Sequence, residues 1–319
     1  MKVVSVINYK GGVGKTTLTA NLGAYATSAG RRVLMIDLDP QTNLTFSFMT
    51  PDVWREKYAE KKTFKNYFDA VIVDDNPIPS LRKYLISLTN WDALRLGNEK
   101  FDLISSHLGL IDLDIKLANK IIVASPEQWA STTLKTFSYL RKSLAEFQNE
   151  YDIVIIDCSP NFGVTVKNAL FASDYYIVPA RLDYLSMLGI DSLEDNVKKF
   201  KEECKKHIET LINTFGECQY EPPKLSLLGV VPMMVNIVKG DEAVAAQREY
   251  LREMNSKGYY IFQYVRNNSS VFGISPENGI VPTVLTRPKF SLTAKRIVKE
   301  LKNLGDEFLR KVESWDSHI

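Results

Sequence analysis

The residues of this chain with the clearest chemical potential form a glycine-rich loop, Asn8-Tyr9-Lys10-Gly11-Gly12-Val13-Gly14-Lys15-Thr16-Thr17. The loop follows an apolar run at residues 3–7 and precedes a segment with helical spacing. Glycines at such a junction let backbone N–H groups approach a phosphate at the positive end of a helix. Lys15 adds a cation for the β- and γ-phosphates, and the Thr16 hydroxyl can complete a Mg²⁺ shell. The strict pattern has glycine where this chain has Tyr9, so a variant phosphate-binding loop is predicted.

Three aspartates follow two other apolar runs. Asp37 and Asp39 come after residues 32–36, and Asp157 ends the run at residues 153–156. Because α/β folds place ligands at the carboxyl ends of their strands, these carboxylates are expected beside the phosphate loop. Asp157 and Asp37 are candidates for the magnesium shell, and Asp39 can orient a water for attack on the γ-phosphate. Aspartates at strand ends also serve as turn or cap residues, which remains the alternative.

The chain has 319 residues, of which 45% are hydrophobic and 24% are charged. The spacing of the apolar residues predicts the strands and helices that position these side chains. Short apolar runs alternate with segments of helical spacing, which predicts a mostly parallel sheet covered on both faces. The fold class is therefore doubly wound α/β. We expect one domain over residues 1–319, with a mainly helical insertion at about 51–100. The predicted strands are residues 3–7, 32–36, 153–156, 175–178, 225–231 and 259–264, and the predicted helices include residues 129–147, 164–172, 186–215, 243–254 and 291–312.

Composition excludes several classes of protein. A formal charge of +2 gives no global attraction to nucleic acid, so any DNA contact needs a local basic face. Cys158, Cys204 and Cys218 form no C-x-x-C pair, which argues against structural zinc and a disulfide framework, and a shared iron–sulfur cluster at Cys158 is disfavoured. No apolar run resembles a signal peptide or a membrane span, so a cytoplasmic location is expected.

Three blocks resemble the ParA/MinD ATPases. Residues 10–17 are similar to the deviant Walker A motif of that family, in which a signature lysine stands at the position of Lys10. Residues 37–43, Asp-Leu-Asp-Pro-Gln-Thr-Asn, are similar to its DxDPQxN segment, and residues 151–160 to its Walker B and switch region. The resemblance spans almost the whole chain apart from residues 51–100. It implies a Mg²⁺-dependent ATPase in which Lys10, Lys15 and Asp39 are catalytic.

The resemblance also implies how such an ATPase works. Two copies would dimerise around two ATP molecules, with Lys10 reaching the phosphates of the other subunit, and the dimer would bind DNA without sequence preference on the nucleoid. A ParB-like or other adaptor would stimulate hydrolysis, and the cargo would be a plasmid, a chromosome or another body. The alternative is a MinD-like or cargo-positioning switch that acts on a membrane or a protein scaffold. The chain ends in a short acidic segment, which disfavours the membrane.

A basic stripe near the end of the chain is the candidate DNA contact. At helical spacing, Lys295, Lys299 and Lys302 share one side of a helix, whereas the apolar Ile297, Val298, Leu301 and Leu304 lie opposite. An ordinary solvated helix face is the alternative. Arg266 is a further candidate, which rests on the family resemblance alone.

Overall fold

A mostly parallel sheet forms the centre of the molecule in the computed structural model, which describes residues 1–73, 77–88, 99–238, 242–272, 283–285 and 292–314. The strands are β1 (Lys2–Val6), β2 (Val33–Asp37), β3 (Ile86–Ser87), β4 (Phe101–Ile104), β5 (Ile153–Asp157), β6 (Tyr175–Ala180), β7 (Ser226–Val235) and β8 (Val265–Arg266). They lie in the order β3-β4-β2-β5-β1-β6-β7-β8, and within the described residues β3 alone runs antiparallel to its neighbour. This arrangement confirms the predicted doubly wound α/β class.

Helices cover both faces of the sheet. They are α1 (Lys15–Ser28), α2 (Asn43–Phe46), α3 (Pro51–Lys57), α4 (Phe64–Val73), α5 (Leu110–Ile122), α6 (Trp129–Phe137), α7 (Tyr139–Leu144), α8 (Val164–Ala172), α9 (Tyr184–Phe215), α10 (Ala245–Ser256), α11 (Ser269–Phe272) and α12 (Leu292–Ser314). One apolar core lies beneath α4–α9, and a second lies beneath α1 and α12. Because both faces are covered, β2, β5 and β6 are buried along their whole length. Within the described part of the chain, no helix has both the length and the apolar character needed to cross a bilayer.

Strand register brings the predicted site residues to one edge of the sheet. Asp157, at the end of β5, is paired in register with Val6 on β1 and with Asp37 on β2. Three neighbouring parallel strands therefore end at the same level. The glycine-rich loop leaves β1 there, beside the two carboxylates, as expected for a ligand site at the carboxyl edge.

Two sequence predictions are wrong in detail. The predicted strand at residues 259–264 is reduced to an isolated bridge between Ile261 and Val230, where Val230 donates to the Tyr260 carbonyl (2.8 Å) and Phe262 donates to the Val230 carbonyl (2.9 Å). The next donor on β7 would be residue 232, which is a proline and has no N–H, so the ladder does not continue. The predicted helix over residues 129–147 is interrupted at Ser138, which ends α6 and precedes α7. A short 3-10 turn, Ala145–Phe147, follows α7 and ends the segment that was predicted as one helix.

The segment at residues 51–100 contributes to the core. Its described part contains α3, α4, a 3-10 turn at Leu81–Tyr84 and strand β3, so it is mainly helical as expected. Phe64, Tyr67 and Phe68 on α4 are fully buried, and the Tyr67 hydroxyl lies 2.7 Å from that of Ser143. Residues 74–76 and 89–98 of the predicted insertion lie outside the described residues. The assignment of one domain stays a prediction.

Candidate active site

A cleft of about 430 Å³ opens at the carboxyl edge of the sheet. The glycine-rich loop forms one wall, and the segment after β2 forms another. Pro160, from the loop that follows β5, completes the border. The lining residues are Gly11, Gly12, Gly14, Lys15, Thr16, Thr17, Asp39, Gln41, Asn43, Ser47, Pro160 and Met234.

The loop conformation requires two of its glycines. Gly12 and Gly14 have φ angles of +69° and +91°, in the left-handed region that disfavours other residues. A Cβ at Gly14 would also lie 2.9 Å from the Met233 side chain. Gly14 caps α1, which begins at Lys15, so the free N–H groups of the first helical turn face the cleft region. Val13 is fully buried, so its side chain anchors the loop to the interior of the protein.

Lys15 is the basic residue among those that line the cleft. Its ammonium donates to the carbonyl oxygens of Asn8 (3.1 Å) and Lys10 (3.2 Å), so it lies inside the curve of the loop. Burial lowers the pKa of Lys15, and the negative charges of Asp157 and Asp39 oppose that shift. A buried cation held by neutral carbonyls is poised to bind an anion in their place.

Asn8 and Tyr9 have positioning roles that the motif does not reveal. The buried Asn8 amide donates to the Pro179 carbonyl on β6 (2.8 Å) and accepts from the N–H of Lys10 (2.9 Å). The Tyr9 ring packs edge-on against Phe162, and its hydroxyl accepts from Asn196 on α9 (2.7 Å). Tyr9 therefore replaces the glycine of the strict pattern with a contact between the loop and α9.

Thr16 and Asp157 form the part of the site best suited to magnesium. The Thr16 hydroxyl donates to Asp157 Oδ2 (2.7 Å), and Thr19, a residue that the motif does not predict, donates to Oδ1 (3.2 Å). Burial raises the pKa of Asp157, and the charge of Asp39 adds to this effect. A hydroxyl and a buried carboxylate at hydrogen-bond distance offer the oxygen ligands that Mg²⁺ prefers, and the cation would relieve the cost of the buried charge.

Asp37, the third predicted magnesium residue, is fully buried and paired in register with Asp157 on the neighbouring strand. Its Oδ2 accepts from both the N–H (2.8 Å) and the hydroxyl (2.7 Å) of Thr45, and its Oδ1 accepts from the N–H of Asp39 (3.1 Å). Burial raises the pKa of Asp37, and Asp157 adds to that effect. These contacts hold the segment after β2 in place. The assignment of Asp37 to the magnesium shell, together with Thr16 and Asp157, stays a prediction.

Asp39, the predicted catalytic carboxylate, lines the wall of the cleft. Its Oδ1 accepts from the N–H of Gln41 (3.0 Å), and its carbonyl accepts from the Ser106 hydroxyl (2.6 Å). Ser106, which follows β4, also donates its N–H to Thr45 (3.1 Å). The segment that carries Asp39 is thus tied to the end of β4, an anchor that the sequence pattern does not show.

Lys10 is turned away from the cleft of its own chain. Its ammonium lies 2.9 and 2.8 Å from the two carboxylate oxygens of Asp183, and Lys10 is absent from the cleft lining. Asp183 also accepts from the N–H of Ser186 (2.9 Å) and so caps α9. The signature lysine is therefore held by an intramolecular ion pair at the rim of the site.

A second, mainly apolar cavity of about 220 Å³ adjoins the first. Gly14, Thr17 and Met234 border both cavities. Met234 has a left-handed φ of +57° at an irregularity between β7 and β8. The remaining lining residues are Met233, Val265, Arg266, Asn267, Asn268, Ser269 and Phe272.

The residues predicted to contact DNA divide into two groups. Lys295, Lys299 and Lys302 are exposed on α12, and the apolar residues opposite them are buried, which confirms the predicted helix faces. Arg266 is different, because its guanidinium is only 11% exposed and lies 2.6 Å from Glu300, which is itself buried. A buried, paired arginine is not free to bind a phosphate, so the structure argues against this candidate.

Comparison with known proteins points to one family. Residues 1–210 match the family described as an AAA domain. The chain is 31% identical over 209 residues to the sporulation initiation inhibitor protein Soj of Bacillus subtilis, which covers 66% of this chain and 68% of that protein. It is 29% identical over 290 residues to Uncharacterized protein MJECL24 of Methanocaldococcus jannaschii, which covers 86% of this chain and 96% of the relative.

Two solved structures have the same fold. An ATP complex of McdA from Cyanothece has a TM-score of 0.64 at 20% identity, over 97% of this chain and 96% of that one. Cobyrinic acid a,c-diamide synthase from Mycobacterium smegmatis, with bound ADP and magnesium, has a TM-score of 0.60 at 22% identity, over 100% of this chain and 97% of that one.

Proposed function

Because this chain belongs to the P-loop ATPases of the ParA type, we propose that it binds ATP with Mg²⁺, dimerises around two ATP molecules and then binds DNA without sequence preference. A ParB-like or other adaptor stimulates hydrolysis and resets this cycle, which positions a plasmid, a chromosome or another cargo. The observation that carries the proposal is the grouping of Lys15, Thr16 and Asp39 around one cleft.

The cleft residues divide the work of hydrolysis. Lys15 binds the β- and γ-phosphates, with the N–H groups of residues 11–17 around them. Thr16 and Asp157, with Asp37 behind them, would hold Mg²⁺, which would offset phosphate charge. Asp39 orients the attacking water at the open side of the cleft, and its own position is set by Asp37, which accepts directly from the N–H of Asp39.

The apolar cavity suits the adenine ring. It begins at Gly14 and Thr17, which also border the phosphate cleft, so one nucleotide spans both cavities. Met233, Met234 and Phe272 give the ring apolar and aromatic surface, and Asn267 and Asn268 supply polar groups at its edge. The left-handed backbone at Met234 places this residue between the two cavities, where it can separate the base from the phosphates.

Lys10 acts across the dimer. A lysine that faces away from its own cleft can supply a cation to the phosphates of the other subunit, much as an arginine finger does. To do so it must leave Asp183, with which it forms an ion pair whose two side chains are 30% and 39% exposed. The pair is worth about 0.2–1 kcal/mol at such exposure, so it can restrain dimerisation without preventing it.

The Asp183→Asn variant is expected to dimerise with ATP at about two- to fivefold lower protein concentration, because the charge that retains Lys10 is removed. Asparagine keeps an oxygen that can accept from the N–H of Ser186, so the cap of α9 survives. Sedimentation over a series of protein concentrations measures the change. An unchanged or weakened dimer with intact α9 would show that Asp183 does not restrain Lys10.

The basic stripe on α12 is the proposed DNA contact. Lys295, Lys299 and Lys302 make no ion pair with any residue that the structure describes. One copy offers few phosphate contacts, whereas an ATP-bound dimer brings two stripes to one DNA molecule. A protein with a net charge of only +2 can therefore bind DNA in its ATP-bound state and release it after hydrolysis.

Charge reversal of two of these lysines tests the proposed function. Wild type with ATP should bind random-sequence DNA, with a log-log salt slope of about 0.9 per phosphate contact. The variant Lys295→Glu with Lys299→Glu should lose ATP-dependent DNA binding, yet dimerise and hydrolyse ATP as wild type does. Fluorescence anisotropy at several salt concentrations provides the measurement.

The matched control reverses two exposed lysines on another helix, Lys198→Glu with Lys199→Glu on α9, and should keep wild-type DNA affinity. If the α12 variant keeps full affinity and salt slope, this helix is not the contact. If wild type with ATP shows no salt-sensitive DNA binding at all, the cargo-positioning alternative on a membrane or scaffold replaces the DNA-based proposal.

A further inference from the structure

The N-terminal end of α8 is capped by a residue from another helix. α8 begins at Val164, and Gly163 before it has no side chain that could accept a hydrogen bond. Instead, Asp114 on α5 accepts at its Oδ1 from the N–H (2.7 Å) and the hydroxyl (2.9 Å) of Thr165. A carboxylate in this place satisfies a free N–H group of the first turn and interacts favourably with the helix dipole. The start of α8 is therefore fixed by a residue 51 positions earlier in the chain.

Gly163 lets Asp114 come this close. A Cβ at position 163 would lie 2.0 Å from Asp114 Oδ2, well inside the contact distance of two such atoms. The backbone of Gly163 is extended, with φ −76° and ψ −174°, a conformation that any residue adopts. The approach of Asp114, and not the backbone conformation, therefore requires glycine here.

The segment that α8 follows, residues 158–163, borders the cleft, and we call it the β5–α8 loop. It begins directly after Asp157, and its Pro160 lines the cleft. At its first end, the N–H of Cys158 donates to a carbonyl on β1 (3.1 Å). At its other end, the loop runs into the turn of α8 that Asp114 holds. Asp114 thus fixes the far end of one wall of the cleft.

The same helix, α5, is attached to the other wall. Ser106, at the end of β4, donates its hydroxyl to the Asp39 carbonyl (2.6 Å). Only residues 107–109 separate Ser106 from the first residue of α5, and the inward side of α5 is buried in the core. One packed helix therefore connects the wall that carries Asp39 to the wall that carries Pro160.

We propose that Asp114 is a positioning residue for ATP hydrolysis, an inference that rests on the proposed function. Asp114 does not line the cleft itself, so it acts through the β5–α8 loop and sets where this wall lies relative to Asp39. A shift of about 1 Å in such a wall can slow a reaction by about 100-fold. Phosphate binding depends instead on Lys15 and residues 11–17, so loss of Asp114 should reduce turnover without reducing nucleotide affinity.

The Asp114→Ala variant should lower the turnover number at saturating MgATP by about tenfold or more, measured by phosphate release. Its affinity for a non-hydrolysable ATP analogue, measured by calorimetry, should stay within about twofold of wild type. Asp114→Asn keeps an oxygen that can accept both hydrogen bonds, so it should keep most of the turnover.

The matched control is Glu146→Ala. Glu146 accepts from the N–H of Leu81 (2.8 Å) and from the hydroxyl of Ser80 (2.7 Å), which is the same pair of donor types that Asp114 serves. It lines no part of the cleft. Glu146→Ala should therefore keep wild-type turnover, even where its melting temperature falls as far as that of Asp114→Ala.

A double-mutant cycle tests the contact between Asp114 and Gly163. Gly163→Ala alone should reduce turnover about as much as Asp114→Ala, because the new methyl group displaces the carboxylate from α8. In a chain that already carries Asp114→Ala, Gly163→Ala should cause no further loss, because the carboxylate that it would strike is gone. Gly163→Ala also supplies the result if Asp114→Ala does not fold.

The outcomes separate the inference from the proposed function. Wild-type turnover in folded Asp114→Ala or in Gly163→Ala overturns the inference and leaves the ATPase proposal intact. Equal losses in Asp114→Ala and Glu146→Ala, or additive losses in the cycle, do the same, because they indicate a merely structural role. Wild type that binds the analogue but does not hydrolyse ATP overturns the proposed function, and the inference with it.

Discussion

The Lys15→Ala variant is expected to lose ATP binding by about 100-fold or more. The substitution removes the basic side chain that lines the cleft, and charge-assisted contacts of this kind contribute on the order of 3 kcal/mol. It also leaves Asp39 and Asp157 without the neighbouring cation, so that they repel the incoming phosphates. Isothermal titration calorimetry with MgATP measures the loss.

The fold should tolerate Lys15→Ala, because the ammonium contacts only backbone carbonyls of the loop. A melting temperature close to that of wild type would establish this. The exposed Lys198 provides the matched control, since Lys198→Ala should bind ATP normally. Wild-type affinity in folded Lys15→Ala would show that the glycine-rich loop does not bind the phosphates.

Asp39→Ala should hydrolyse ATP about 100-fold more slowly or worse, the usual loss when a group that handles the attacking water is removed. ATP binding should persist, because the phosphate contacts of Lys15 and the loop remain and one negative charge leaves the cleft wall. The ATP-bound dimer should therefore accumulate. Phosphate release and light scattering on the same samples measure the two effects.

Lys10→Ala is the contrasting variant. It should keep some ATP binding, since Lys10 does not line its own cleft, but should stay monomeric and lose hydrolysis because its contact exists only across the dimer. If Asp39→Ala and Lys10→Ala show the same oligomeric state with ATP, the division of roles between these residues is wrong.

Short apolar runs in the sequence predicted most strands of the central sheet, because a parallel strand that is buried on both faces consists almost entirely of apolar residues. The runs that became β1, β2, β5, β6 and β7 are nearly continuous in apolar residues, since both of their faces are covered. β4 was not predicted. It is only four residues long and contains Asp102, which is buried beside β2 and accepts a hydrogen bond from the Tyr151 hydroxyl (2.6 Å). A distant partner thus permits a carboxylate within the core.

The chemistry of the loop at residues 10–17 was determined by the sequence, because the glycines, Lys15 and Thr16 act within one strand-to-helix turn. Tertiary structure decided the contacts between residues far apart in the chain. Arg266 is placed beside Glu300 in the interior, and Lys10 beside Asp183, which lies 173 positions away. Asp37 is turned toward Thr45. The charge of a side chain is a property of the residue, but whether that charge is free, paired or buried depends on what the rest of the chain brings to it.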